Sequence, residues 1–241
     1  MVSYRKMSEP GSREINEDFV SIAEKGSQIC CVLCDGLGGH GKGEEASKLV
    51  ANEIIDFFVK NDNFIDRMDE AFEIAQKKLL EEQKVKSAKH EMKTTAVILA
   101  ITDKEVRWGH IGDSRAYMFK KFRYKKRTLD HSVPQMLVLA RDIKEKEIRN
   151  HPDRNKLLRV MGVEWGASSY VISKKIRRKE NLSFLLCSDG FWELIDEKNM
   201  SALLKESGRD VNKWVDSMSE VVRTNGQGKN MDNFSAIAVT L

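Results

Sequence analysis

QICCVLCDG, residues 28–36, decides the architecture: a strand-like apolar run that stops at an Asp-Gly pair, Asp35-Gly36. The same arrangement returns in LSFLLCSDG, residues 182–190, which stops at Asp189-Gly190. Working outward, Asn16-Glu17-Asp18 with Arg13 before it precedes another strand-like run, and Asp232 opens the last one, DNFSAIAVTL. Carboxylates brought together repel by roughly 1 kcal/mol per pair at 4 Å in water and about 4 near a protein surface. A chain that gathers several of them is expected to hand them cations. If the strands ending in Asp35 and Asp189 and the strand begun by Asp232 are antiparallel neighbours, the acids meet on one rim. Such hard oxygen donors suit Mg²⁺ or Mn²⁺, with water filling the remaining positions and the Gly36 carbonyl as a further ligand.

With 241 residues and a 41% hydrophobic share, the chain suits a single domain over residues 1–241 with a sizeable core. It holds no apolar run of membrane-spanning length and no apolar leader near its start, so a soluble, cytoplasmic protein is expected. Three of the four cysteines, Cys30, Cys31 and Cys34, share one apolar run. Cys31 and Cys34 have zinc-like spacing, but residues three apart on a strand point to opposite faces, so buried thiols are expected. The net charge of +4, from 41 basic and 37 acidic residues, leaves a mixed surface and argues against a dedicated nucleic-acid binder. Basic runs at Lys120–Arg127 and Lys174–Lys179 fall where hairpin turns or strand ends are expected and read as charged edges.

Strands are predicted around Phe19–Ile22 and Ile29–Cys34. Two amphipathic helices follow, one through Ala46, Leu49, Val50, Ile54, Phe57 and Phe58, the other through Met68, Ala71, Phe72, Ala75 and Leu79. TTAVILAI, EVRWGHIG and SRAYMFKKF then read as short strands. Ser132 begins a short helix with Gln135 as capping-box partner. A polar, helix-forming stretch from Arg141 to Gly166 lacks apolar periodicity and reads as a mobile flap. Strands near Tyr170–Ile176 and Leu182–Cys187 precede helices at Glu197–Glu206 and Val211–Thr224, the latter capped by Asp210 and stopped by Asn225-Gly226, and a strand closes the chain at Phe234–Leu241. Helix pairs between runs of strands suggest packed sheets covered by helices.

GSREINED (11–18), CDGLGGHGKGEEAS (34–47), MKTTAV (92–97), GHIGDSRAYMF (109–119), LDHSVPQMLV (129–138), NHPDRNKLLRVMG (150–162), LLCSDGFWEL (185–194) and DNFSAIAV (232–239) occur in this order. Together they resemble the type 2C metal-dependent protein phosphatases, and bacterial members especially. The resemblance implies an α/β fold, a four-layer α/β/β/α sandwich of two mostly antiparallel sheets flanked by helix pairs, with a two-metal site at one edge. By the same resemblance, Asp35 bridges two Mn²⁺ or Mg²⁺ ions, Gly36 adds a carbonyl ligand to one, and Asp189 and Asp232 complete the other. Glu17 and Asp18 match acids that bind a metal or hold its waters. Asp113 matches an acid that helps bind a third, weaker ion, and Arg13 stands at the phosphate-binding arginine, whose planar fork can meet two phosphate oxygens.

The implied reaction is hydrolysis of phosphoserine and phosphothreonine monoesters on proteins, opposing a bacterial Ser/Thr kinase. A water bridging the two ions would attack phosphorus while Arg13 and the ions offset charge. Leu37 stands where eukaryotic members often carry a histidine acid; His40 lies two glycines further on, and water on the metals is the expected proton donor. Lys93 replaces the Gly that bacterial relatives carry before the paired threonines Thr94 and Thr95, and is expected to face solvent. His131 and His151 read as cap and turn residues. The expected partners are phosphorylated proteins, with neither nucleic acid nor membrane, for a monomer. Two rivals are a catalytically silent module of the same fold and a phosphodiesterase acting on nucleic acid. The retained Asp35, Asp189 and Asp232 argue against the first, and the scarcity of aromatics in the basic runs beyond Phe122 and Tyr124 against the second.

Overall fold

The computed structural model describes residues 2–38, 42–165 and 169–241. Its elements begin with strands β1 (Ser3–Glu9), β2 (Asp18–Lys25) and β3 (Gln28–Leu37), followed by helices α1 (Gly43–Lys60) and α2 (Met68–Val85). Strands β4 (Lys93–Thr94), β5 (Ala96–Ile101), β6 (Glu105–Ile111), β7 (Arg115–Lys120) and β8 (Arg123–Arg127) come next, then helix α3 (Val133–Ala140). After a 3₁₀ turn at Glu145–Asn150 come β9 (Val171–Ile172), β10 (Ile176–Arg177) and β11 (Leu182–Cys187). The chain ends with α4 (Asp189–Trp192), α5 (Glu197–Glu206), α6 (Val211–Gly226) and β12 (Phe234–Thr240).

One sheet has the order β1-β12-β11-β7-β8; the other runs β10-β6-β5-β3-β2, with β4 beside β3 and β9 beside β6. The ladders are antiparallel. Alternation along β3 sends Cys30, Val32 and Cys34 to a core shared with α1 and α2, and Ile29, Cys31 and Leu33 to a core between the sheets. Leu185, Cys187, Ala236 and Ala238 likewise face a third core under α5 and α6, whereas Phe184, Leu186, Ile237 and Val239 face the intersheet layer. Three cores separate four layers, as expected. All four cysteines are buried free thiols.

Several elements differ from the sequence prediction. β1 was not predicted: its side chains are exposed or half-buried, and the strand exists because its backbone pairs with β12. Lys120–Arg127, predicted as turn or strand end, contains β8, an edge strand of the first sheet. Tyr170–Ile176 breaks into the short β9 and β10, paired separately to β6. The stretch 141–166 forms only the 3₁₀ turn rather than longer helix, pinned by buried Ile148 and Met161. Ser132 is the N-cap of α3 but makes no side-chain capping bond, and Gln135 Oε1 accepts from Arg127 Nη2 at 2.9 Å. Asp210 caps α6 as predicted, yet the helix continues through Asn225-Gly226. No helix among the described residues is long and apolar enough to cross a membrane.

Candidate active site

The intersheet layer ends in a polar rim because period two carries polar residues onto the face that apolar ones occupied. After Cys31 and Leu33, the next residue of β3 on that face is Asp35, inside the strand rather than beyond its end. After Phe184 and Leu186 comes Ser188; before Ile237 come Ser235 and Asn233. β11 and β12 are antiparallel neighbours, so Asp189 and Asp232 flank the same end, and a Cβ on Gly190 would lie 3.3 Å from the Asp232 Cβ. Asp113 arrives from the connection between β6 and β7, which links the two sheets.

The backbone of the rim is tied down. The Asp35 carbonyl accepts from Thr94 Oγ1 and from the Thr95 amide, each at 2.8 Å, and the Asp35 amide donates to Thr95 Oγ1 at 3.1 Å. Gly36 lies so near the start of α1 that a Cβ there would sit 2.3 Å from the Gly43 carbonyl oxygen. The Glu17 carboxylate accepts from the Gly43 amide at the N-terminus of α1, where the helix dipole favours negative charge. Asn233 folds the GSREINED segment over the rim: its Oδ1 accepts from the Glu17 amide at 2.8 Å, and its Nδ2 donates to the carbonyls of Pro10 and Ile15 at 2.9 and 3.0 Å.

A cleft of ≈ 550 Å³ opens at this rim, lined by Arg13, Glu17, Asp35, Gly36, Asp113, Asp189 and Asp232. Asn155 and Leu157, from the 141–166 stretch, line it too. Asp18 stands behind the cleft, 7% exposed. Its Oδ2 accepts from Ser188 Oγ at 2.7 Å, and its Oδ1 is buried with no partner. Arg13 donates to Asp232 Oδ2 at 2.9 Å. His131 and His151 lie outside the cleft: His131 Nδ1 accepts from the Gly112 amide, and His151 Nδ1 accepts from Asp153 within a turn. Lys93 is half-buried on β4 opposite Leu37 rather than fully in solvent. His40 lies outside the described residues.

The electrostatics follow from crowding. Burial, reinforced by the charges of Asp18, Asp189, Asp113 and Asp232, pushes the Asp35 carboxyl well above the ordinary range. Asp189 moves the same way, from burial and then from Asp113. Burial raises Asp18 to about 7 against the opposing bond from Ser188, and raises Asp113 to about 7 with help from Asp130. Glu17 is raised, chiefly by burial. Among the described residues no three His, Cys, Asp or Glu groups close into a ready-made cage; the acids ring the cleft, the arrangement expected of charges that repel. Hard oxygen donors with an orphaned buried carboxylate oxygen nevertheless fit a divalent cation.

The supporting residues escaped sequence reasoning. Asn233, Ser188 and the hydroxyls of Thr94 and Thr95 are neutral, and only their place in family-like segments singled them out. A second network was also missed: Asp130 takes Arg115 Nε and Nη2 at 2.9 and 2.6 Å and Arg127 Nη1 at 3.1 Å, all buried. The Arg115 guanidinium lies 3.3 Å from the centre of the Trp192 ring, whose Nε1 donates to the Asp113 carbonyl at 3.0 Å.

A family model described as protein phosphatase 2C matches residues 9–234. The chain belongs to the protein phosphatase 2C family. Within the family it is 29% identical over 236 residues to the serine/threonine phosphatase stp of Listeria monocytogenes, covering 94% of this chain and 90% of that one. The crystal structure of serine/threonine phosphatase Stp1 from Staphylococcus aureus is 27% identical, with a TM-score of 0.87 over 100% of this chain and 95% of the other. The catalytic domain of the phosphatase PstP, solved in complex with two manganese ions, shares the fold at a TM-score of 0.84 and 22% identity, over 99% and 97% of the two chains.

Proposed function

We propose that this protein phosphatase 2C member, acting as one catalytic domain over residues 1–241, hydrolyses phosphoserine and phosphothreonine monoesters on proteins. The observation that carries the reading is the gathering of Glu17, Asp35, Asp113, Asp189 and Asp232 with Arg13 around one cleft, backed by a buried Asp18 oxygen that has no partner. Asp35, Asp189 and Asp232, with the Gly36 carbonyl, are the residues to hold two Mn²⁺ or Mg²⁺ ions; Glu17 and Asp18 hold waters or complete a shell, and Asp113 serves a third, weaker site. Bound there, the ions supply a nucleophilic water near neutral pH and a sink for phosphoryl charge.

The chain's own groups do the rest. Thr94 and Thr95 fix the backbone that carries Asp35. Arg13, free to exchange Asp232 for substrate, offers a planar pair of N–H groups to phosphate oxygens and orients the ester. Water in the cleft gives the leaving oxygen its proton; among the described residues neither His131 nor His151 lines the cleft. The 141–166 stretch, which contributes Asn155 and Leu157 to the wall, meets the protein part of the substrate. Bacterial relatives named as serine/threonine phosphatases support the activity; a role opposite a Ser/Thr kinase in the cytoplasm is part of the same proposal.

The rivals find less support. The acids a silent module would be expected to lose are all at the cleft. The aromatics of the basic hairpin are turned to the core, with Tyr124 against Tyr117 and Phe119, so they offer no platform for bases. The test is phosphate release from phosphoserine and phosphothreonine peptides and from single-stranded DNA, with Mn²⁺ and with chelator. Metal-dependent release from the peptides is expected; cleavage of DNA with inert peptides sinks the proposal.

A further inference from the structure

Among the described residues, eleven large apolar side chains are exposed, and five of them, Leu129, Met136, Leu139, Leu158 and Val171, line one groove of ≈ 600 Å³. Single exposed apolar residues are ordinary, but a cluster of this size marks a binding surface. Trp108 and the His110–His131 stack, with centroids 4.7 Å apart, also line it.

The charged residues that line the groove are basic apart from Asp130. Lys126 Nζ lies over the Trp108 ring at 4.4 Å, and Arg159 lines the groove; Arg127 lines it too, but its charge is met by Asp130 and, at 2.8 Å, by Glu145. The groove's one carboxylate, Asp130, is 5% exposed and already bonded to Arg115 and Arg127. Exposed Lys125 precedes Lys126 on the edge strand β8, and exposed Lys174 follows Ser173 of the groove lining. An occupant that matches this surface carries apolar and carboxylate side chains together.

Its position says what kind of molecule brings them. Leu157 lines the catalytic cleft and Leu158 lines the groove. The Leu158 amide donates to the His131 carbonyl at 2.8 Å, so one width of backbone separates the two hollows. A polypeptide held in the cleft by its phosphorylated side chain needs only a few extended residues to cross that partition. We propose that the groove docks an acidic and apolar segment of the phosphoprotein substrate, close in sequence to the phosphorylated residue. This rests on the phosphatase reading above.

The test separates docking from catalysis. A labelled, unphosphorylated peptide alternating Leu and Glu over about eight residues, roughly 26 Å when extended, is titrated with the whole protein by fluorescence anisotropy. In parallel, a phosphothreonine peptide is hydrolysed with and without the same residues appended, beside an aryl phosphate. Binding is expected, weakened about tenfold or more by Lys126→Glu and by Leu139→Glu. The appended residues should lower KM by about tenfold, an advantage both variants lose while aryl phosphate kinetics stay unchanged. No binding, binding that survives both variants, or equal binding of a Leu-Lys peptide overturns the proposal. Binding of a fatty acid such as decanoate in place of the peptide overturns the choice of occupant. Intact peptide binding with every phosphate ester inert overturns the phosphatase reading and supports the groove.

Discussion

Asp18 and Asp35 stand directly opposite one another on neighbouring antiparallel strands, β2 and β3, with their side chains on the same face. Asp18 has a hydroxyl, Ser188, on one oxygen and nothing on the other. Two carboxylates so placed cannot both ionise cheaply without a cation, and the proton balance of the metal-free protein follows from that.

Without metal, the acids of the rim are expected to cost the protein stability as pH rises from about 4 through about 7, unopposed above the ordinary histidine range. The unfolded chain has already released these protons near pH ~4, whereas folded Asp18 holds its own to about 7 and Asp35 and Asp189 hold theirs longer. The folded state therefore binds more protons across that window, so stability falls as pH rises and levels off only once those protons have left. His110 and His131, lowered by burial, act in the opposite direction, but only below the ordinary histidine range. Thermal melts in chelator should show a falling Tm that Mn²⁺ restores; a flat or rising Tm contradicts the crowding.

Asp189→Asn preserves shape and removes charge beside Asp113 and Asp232. Turnover of a phosphopeptide should fall by about 10²-fold or more, the scale of losing a charge-stabilising group, and calorimetry should register weaker Mn²⁺ binding. Turnover like that of the unmodified chain would refute the assignment.

Arg13→Ala should raise KM for phosphopeptides and leave Mn²⁺ affinity nearly intact, since Arg13 bonds Asp232 through a half-exposed contact. Arg13→Lys should recover only part of the loss, because an ammonium cannot meet two oxygens in one plane. Equal kinetics for all three proteins would remove the phosphate role.

Asp130→Ala strips the shared carboxylate from two buried guanidiniums, Arg115 and Arg127. A loss of about 3–5 kcal/mol in urea unfolding is expected, the scale of leaving buried charge uncompensated. A change below about 1 kcal/mol, the worth of a surface pair, would show that the network is not held as described.

The sequence disclosed most where burial dictated composition. β3, β5, β11 and β12 are apolar on both faces and could be read directly, and Leu182–Cys187 and Glu197–Glu206 appear with the predicted bounds. β1 and β8 could not, because their side chains are polar or exposed and their pairing is decided by neighbours far along the chain. Two acids of the site, Asp35 and Asp189, announced themselves through Asp-Gly after an apolar run. The partners that position them, Ser188, Asn233 and the Thr94-Thr95 pair, bear no charge and acquire their tasks only when β3, β11 and β12 meet at one rim.

Asp18 and Asp35 belong to one sheet, Asp189 and Asp232 flank strands of the other, and Asp113 sits on the link between them. The rim is thus a clasp between two leaves of a book. Starved of divalent ions, the leaves are expected to push apart at their open margin; ions bound there would rivet them shut. Amides of the GSREINED segment and of the β6–β7 link should accordingly exchange hydrogen together, faster in chelator than in Mn²⁺.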